Sequence, residues 1–188
     1  MAMLLTLPAG SASRDAEPHV VLIGLPGVGK SSAARRAARK LARPFVDFDT
    51  EIEAREQMTV ERIFAQRGEA AFRAAEFALT RELAARGGMV LSPGGGWVTS
   101  AEAMELLRPH SVMIYLRMPP EVALSRLRRA RRKRPLLQTA DPLATIRGLL
   151  AAREKAYLTA HHVLDVTKMT PTALVLEIVR LAGGGTPH

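Results

Sequence analysis

The stretch Gly24–Ser31 reads GLPGVGKS, and it constrains this chain more than any other feature. It satisfies the pattern GxxxxGK[ST]. It follows a short apolar β-branched run, His19–Gly24 (HVVLIG), and precedes Ser31–Leu41, which is rich in Ala, Arg and Lys and has no helix breaker. A buried strand, a glycine-rich turn and a helix in that order form the context in which such a loop cradles phosphate. The glycines let backbone amides turn inward, and the positive end of the helix points at the same place. Within the loop, Gly27, Val28 and Gly29 supply backbone amides. Lys30 reaches the terminal phosphates of a nucleoside triphosphate, the Ser31 hydroxyl is a ligand for Mg²⁺, and Ser32 extends the cradle into the helix.

A parallel sheet is the natural home for this unit, and the rest of the chain predicts one. Further short apolar runs at Pro44–Asp49, Met89–Ser92, Ser111–Arg117 and His162–Val166 read as strands. Between them, helices are expected over Glu51–Arg67, Ala70–Arg86, Ser100–Leu107, Pro119–Arg132 and Asp141–Leu158, with Gly68 separating the first two. Pro171–Ala182 closes the pattern, with Thr170 as its N-cap. Five strands alternating with helices predict a three-layer α/β/α fold with a five-stranded parallel sheet. Ligands then bind at the carboxyl ends of the strands.

Composition narrows the function classes. The chain has 188 residues, 47% of them apolar and 24% charged, which suits one domain with a sizeable core. It has no cysteine, so disulfides and thiolate chemistry are excluded. No segment approaches the roughly 20 consecutive apolar residues needed to cross a membrane. Residues 1–17 lack the basic start of a secretory signal and read as a flexible leader. Residues 18–182 read as the folded domain, and residues 183–188 as a disordered tail. A cytoplasmic, monomeric protein is expected.

The net charge is +9, but Arg126–Arg134 (RLRRARRKR) carries seven basic residues and no acid, so the remainder is close to neutral. A nucleic-acid partner for that patch is disfavoured by the 4% aromatic content, which leaves no ladder for stacking bases.

The acidic residues show where the chemistry departs from ordinary ATPases. An ATPase of this type carries an apolar strand ending in Asp to support the metal. Here the third strand ends in Ser-Pro-Gly-Gly-Gly, whereas the second ends Asp47-Phe48-Asp49. Read as a strand, Asp47 and Asp49 point the same way beside the phosphate loop. One is then available to the metal and the other to a substrate hydroxyl. The alternative is surface acids, or an N-cap by Asp49 or Thr50.

Taken together, the ordered motifs resemble shikimate kinase over about residues 19–182. They are GLPGVGKS, DFD at Asp47–Asp49, AAFRAAE at Ala70–Glu76, PGGGWV at Pro93–Val98, RPLL at Arg134–Leu137, and Arg153 four residues before Tyr157. The resemblance implies a phosphotransferase with an alcohol acceptor, transferring phosphate from ATP, with Mg²⁺, to the 3-hydroxyl of shikimate. By that resemblance Asp49 binds the ring hydroxyls near the attacking oxygen, and Asp47 supports the metal. Arg73 and Arg153 hold the substrate carboxylate, and Gly94, Gly95 and Gly96 approach the substrate with their backbone. Arg134 is a lid arginine over the ATP phosphates, in a lid of about residues 126–141. Arg126 or Arg128 lies near adenine, with Lys168 in the adenine loop.

These assignments agree with residue chemistry. Guanidinium forks suit a carboxylate, and Asp49 is an acceptor for hydroxyls. Glu76 either orients Arg73 from one helical turn away or faces water. Trp97 either walls the pocket or packs. The chain departs from the family in having EKAY after Arg153, where Pro-Leu commonly precedes the tyrosine. Its basic segment is also denser than two functional arginines need. The competing readings are a related small-molecule kinase such as a gluconate kinase, a nucleic-acid-binding protein with the same loop, and a ligand sensor without catalysis.

Overall fold

The computed structural model describes residues 17–129 and 139–183. Arg134, most of the expected lid, nearly all of the leader and nearly all of the tail lie outside the described residues.

Five strands form one parallel sheet: β1 (His19–Ile23), β2 (Phe45–Asp47), β3 (Val90–Ser92), β4 (Ser111–Arg117) and β5 (His162–Asp165), in the order β2-β3-β1-β4-β5. All four pairings are parallel. Every residue of β1 is buried, as a central strand covered on both faces must be. Strand β5 lies at the edge, and its burial alternates residue by residue.

Seven helices among the described residues cover the sheet: α1 (Lys30–Leu41), α2 (Phe48–Glu56), α3 (Val60–Ala84), α4 (Ala101–Leu107), α5 (Pro120–Arg129), α6 (Pro142–Tyr157) and α7 (Pro171–Ala182). Helix α1 packs on β3 and against α7, burying Ala33, Ala34, Ala37 and Ala38, the small face that lets it approach the sheet closely. Thr170 caps α7 as expected, accepting from the Ala173 amide at 3.2 Å, and Asp141 caps α6 in the same way.

Two expectations are corrected. The second strand ends at Asp47, and Asp49 lies in the first turn of α2. The reason is local: the Asp47 carboxylate accepts from the Thr50 amide at 3.3 Å, so Asp47 is the N-cap and the helix starts two residues before Thr50. Neither Asp49 nor Thr50 is the cap. The expected helix over Glu51–Arg67 is broken at Gln57, which adopts a left-handed conformation (φ 51°). Thr59 then caps α3, accepting from the Arg62 amide. The break expected at Gly68 is present: the backbone leaves helical geometry there (φ 80°, ψ 172°), so α3 is two helical runs joined at a kink.

His19, at the start of β1, is fully buried and links three elements. Its Nε2 lies 2.9 Å from the Leu83 carbonyl at the end of α3, and its Nδ1 accepts from the Met89 amide at 3.3 Å. Those contacts define a neutral imidazole. Burial lowers its pKa below the ordinary 6.5, nearby His110 and Arg43 add to the effect, and its hydrogen bonds to the backbone only partly oppose it. The unfolded chain therefore takes up a proton near pH 6.5 that the folded chain refuses. Stability contributed by His19 is complete above that pH and is lost as pH falls toward the folded pKa. Urea midpoints of the wild type should fall between pH 7.5 and pH 5.5 by more than those of His19→Gln. Equal falls would exclude His19 as the source.

Candidate active site

The sequence motifs converge at the carboxyl ends of β1, β2 and β3. On the donor side, the loop after β1 needs glycine for two separate reasons. At Gly27, φ is 89°, and a Cβ would meet the Ala123 carbonyl at 2.8 Å and Leu127 at 2.7 Å. At Gly29, φ is 94°, and no atom lies within 4 Å of where a Cβ would stand, so the loop is open there. Gly29 is also the N-cap of α1, and no side chain caps that helix. The first-turn amides thus face the loop rather than a capping oxygen, the arrangement that receives an anion. Val28 is buried and anchors the loop, while Ser31 and Ser32 are exposed in the first turn of α1. The Lys30 ammonium donates to the Gly24 carbonyl at 2.8 Å and to the Leu25 carbonyl at 3.1 Å. Its charge is thereby folded over the loop.

Ser92 links the two residues expected at the metal, Ser31 and Asp47. Asp47 and Ser92 are register partners on adjacent strands, and the Ser92 hydroxyl lies 3.3 Å from that of Ser31. Hard cations such as Mg²⁺ prefer all-oxygen surroundings and keep several waters, which these residues fit. Ser92 escapes a reading of the sequence because only the pairing of β2 with β3 brings it beside Asp47. Among the described residues no group of three or more His, Asp or Glu side chains is arranged to hold a metal by itself. Two protein oxygens plus phosphate and water suit this site better than a protein cage.

On the acceptor side, Gly94 marks where the carboxylates meet. A Cβ there would lie 3.0 Å from Glu76 Oε1 and 3.2 Å from Asp49 Oδ1. Asp49, from the first turn of α2, and Glu76, from α3, thus flank the same glycine. Arg73 lies one helical turn before Glu76 and pairs with it. Its other nitrogens are taken by Glu69, with Nη2 at 2.9 Å and Nε at 3.2 Å from Oε1. The Glu69 side chain is 65% exposed and that of Glu76 only 3%. Glu76 is therefore the fixed partner and Glu69 the replaceable one. The i, i+4 spacing of Glu69 and Arg73 on a helix is the signal by which sequence reasoning could have found this pair.

Glu76 is a nearly buried carboxylate. Burial raises its pKa, Arg73 opposes that rise, and neighbouring Asp49 adds to it. Its Oε1 is buried and accepts no hydrogen bond. Arg153, on α6, also lies within electrostatic reach of Glu76. Arg73, Arg153, Asp49 and Glu76 thus form one cluster around Gly94–Gly96. A cleft of about 270 Å³ opens beside it, walled by Glu69, Phe77, Trp97 and Ser100. Trp97 both walls and packs. It is 1% exposed, its indole donates to the Thr80 hydroxyl at 2.9 Å, and Phe48 meets its ring edge-on at 6.3 Å.

The two arginines weighed for the adenine side are separated by the fold. Arg126 Nη2 reaches the Val166 carbonyl at 3.5 Å, at the end of β5, beside the connection that carries Lys168. Arg128 lies on another face of α5, in a surface groove with Glu121, Ser125 and Leu143. Glu121 is itself paired with Arg147 at 2.6 Å, so that groove holds an ion pair beside Arg128.

A phosphate-gripping loop after the first strand of a five-stranded parallel sheet, facing an acid–arginine cluster across a glycine turn, defines a P-loop kinase of small hydroxylated anions. The shikimate kinase family profile matches residues 26–182, and the chain belongs to that family. Shikimate kinase from Pelotomaculum thermopropionicum is 40% identical over 161 residues, covering 86% of this chain and 93% of the relative. The structure of shikimate kinase from Acinetobacter baumannii in complex with shikimate superposes with a TM-score of 0.84 at 34% identity, covering 93% of this chain and 97% of that one. A gluconokinase from Sinorhizobium meliloti shares the fold alone, at 20% identity and a TM-score of 0.55 over 92% of each chain.

Proposed function

We infer that the donor and acceptor halves act together in one reaction, the transfer of the γ-phosphoryl group of ATP to the 3-hydroxyl of shikimate. The products are shikimate 3-phosphate and ADP. ATP is the donor and Mg²⁺ the cofactor; the metal supplies charge neutralisation between the phosphates. The observation that supports the residue roles is the meeting of Asp49 and Glu76 at Gly94, with Arg73 paired to Glu76 and standing against Gly96.

Asp49 accepts the hydrogen bond of the attacking hydroxyl and orients it toward the phosphoryl group. Arg73 holds the substrate carboxylate, which takes the place of exposed Glu69 on the guanidinium fork, while Glu76 keeps that fork aimed. Arg153 supplies the second guanidinium. Gly94, Gly95 and Gly96 bring backbone against the ring. Lys30 and the first-turn amides of α1 balance the charge that spreads over the transferring group. Ser31 and Asp47 are the residues that would hold the metal. Arg126 and Lys168 flank the base. A monomeric, cytoplasmic enzyme completes this reading.

Release of ADP with MgATP should be stimulated by shikimate and not by gluconate, with quinate as a hydroxyl-rich control. Turnover with gluconate but not shikimate would overturn the assignment.

A further inference from the structure

The Tyr157 hydroxyl donates to the Gly95 carbonyl at 2.8 Å across 62 residues of sequence. That contact joins the last turn of α6 to the glycine turn after β3. Tyr157 has no exposed surface, and its ring stacks on Tyr115 of β4 with centroids 4.9 Å apart and planes inclined by 18°. The ring therefore has one place to be. Gly95 also lies close to the donor loop, because a Cβ there would meet Pro26 at 3.2 Å and the Gly24 carbonyl at 3.5 Å. The turn thus neighbours both the donor loop and α6. Arg153, one helical turn before Tyr157, lies within electrostatic reach of the same hydroxyl.

Resting on the acceptor site described above, we propose that Tyr157 is a positioning residue for the transfer. It locks the Gly95 carbonyl and steadies Arg153, so that the substrate ring is set at a fixed distance from the phosphate loop. One feature makes this more than packing: the hydroxyl donates to a backbone group of the glycine turn and lies within electrostatic reach of Arg153, the second guanidinium of the proposed carboxylate clamp. Burial pushes its pKa up to about 12. A phenylalanine would keep the stack on Tyr115 and lose only the donor.

The test is Tyr157→Phe in the full chain. Trp97 is the only tryptophan and stands two residues beyond Gly95, so its fluorescence reports on this turn. The wild type should turn over shikimate and show a fluorescence change on titration with it; failure of that control would count against the acceptor site itself. In the variant, Kd and KM for shikimate should rise roughly 3- to 10-fold, the loss of one hydrogen bond, with a fall in kcat and an unchanged Kd for ATP. Normal shikimate constants in a folded variant would overturn the proposal. So would losses of equal size for ATP and shikimate that track a lowered melting midpoint, since those describe a purely structural tyrosine.

Discussion

Asp49→Asn should lower kcat by about 10²- to 10⁴-fold, the usual contribution of a positioned acid–base group. The Kd for ATP should stay within about twofold of the wild type. The reasoning rests on where the carboxylate stands. Asp49 is in the first turn of α2, beside Gly94 and within electrostatic reach of Glu76, and it is not the residue that caps the helix. Asparagine keeps the volume and one acceptor but removes the charge that draws the substrate hydroxyl. The helix should form as before, because Asp47 supplies the cap. Steady-state ADP release and a separate ATP titration distinguish the two effects. A variant with near-normal kcat would remove Asp49 from the reaction. A variant that lost ATP binding instead would place it on the donor side.

The second large effect is expected at Arg73. Arg73→Ala should raise the KM for shikimate by about 10²-fold, the loss expected when one partner of a desolvated charged pair is removed. It should also destabilise the fold by about 1–3 kcal/mol, because Glu76 is left buried without its partner. That second consequence blurs the first, and Gly96→Ala separates them. Gly96 has an ordinary right-handed backbone, with φ −91° and ψ −11°, so alanine adds no backbone strain. Its Cβ would instead overlap the Arg73 guanidinium, with Cζ only 2.9 Å away. The arginine must move while Glu76 keeps a mobile cation nearby. Gly96→Ala should therefore raise the shikimate KM while the melting midpoint stays close to the wild type. Combined with Arg73→Ala it should add little, since the group it displaces is gone. Additive losses would mean that Gly96 acts through its own backbone and not through Arg73.

Much of the site was legible in the sequence because its parts are local. The phosphate loop is eight contiguous residues whose spacing meets the needs of backbone amides and a helix end. Arg73, proposed to bind the substrate carboxylate, and its buried partner Glu76 are three residues apart on one helix. Other parts depend on residues that are distant along the chain. The pairing of β2 with β3 sets Ser92 beside Asp47, and the contact of α6 with the glycine turn sets Tyr157 on Gly95. The separation of Arg126 from Arg128 belongs to this second kind. The two side chains point to different sides of α5, and only the packing against β5 shows which of them meets the Val166 carbonyl. The misplaced start of α2 has a similar origin. A two-residue alternation of acids suits a strand, but a capping hydrogen bond from Thr50 to Asp47 ends the strand one residue before Phe48.

The sequence by itself carries the signals of the chemistry: a phosphate loop at Gly24–Ser31, and Asp49, Arg73 and Arg153 as the residues proposed for the acceptor. Those signals are carried by residue type and short spacing, which need no knowledge of the fold. The tertiary structure decided which charges share a cavity, which carboxylate is buried and which replaceable, and that the glycine turn neighbours both Pro26 and Tyr157. Burial and contact between strands and helices are properties of the closed sheet, and they arise only when segments far apart in the chain desolvate one another.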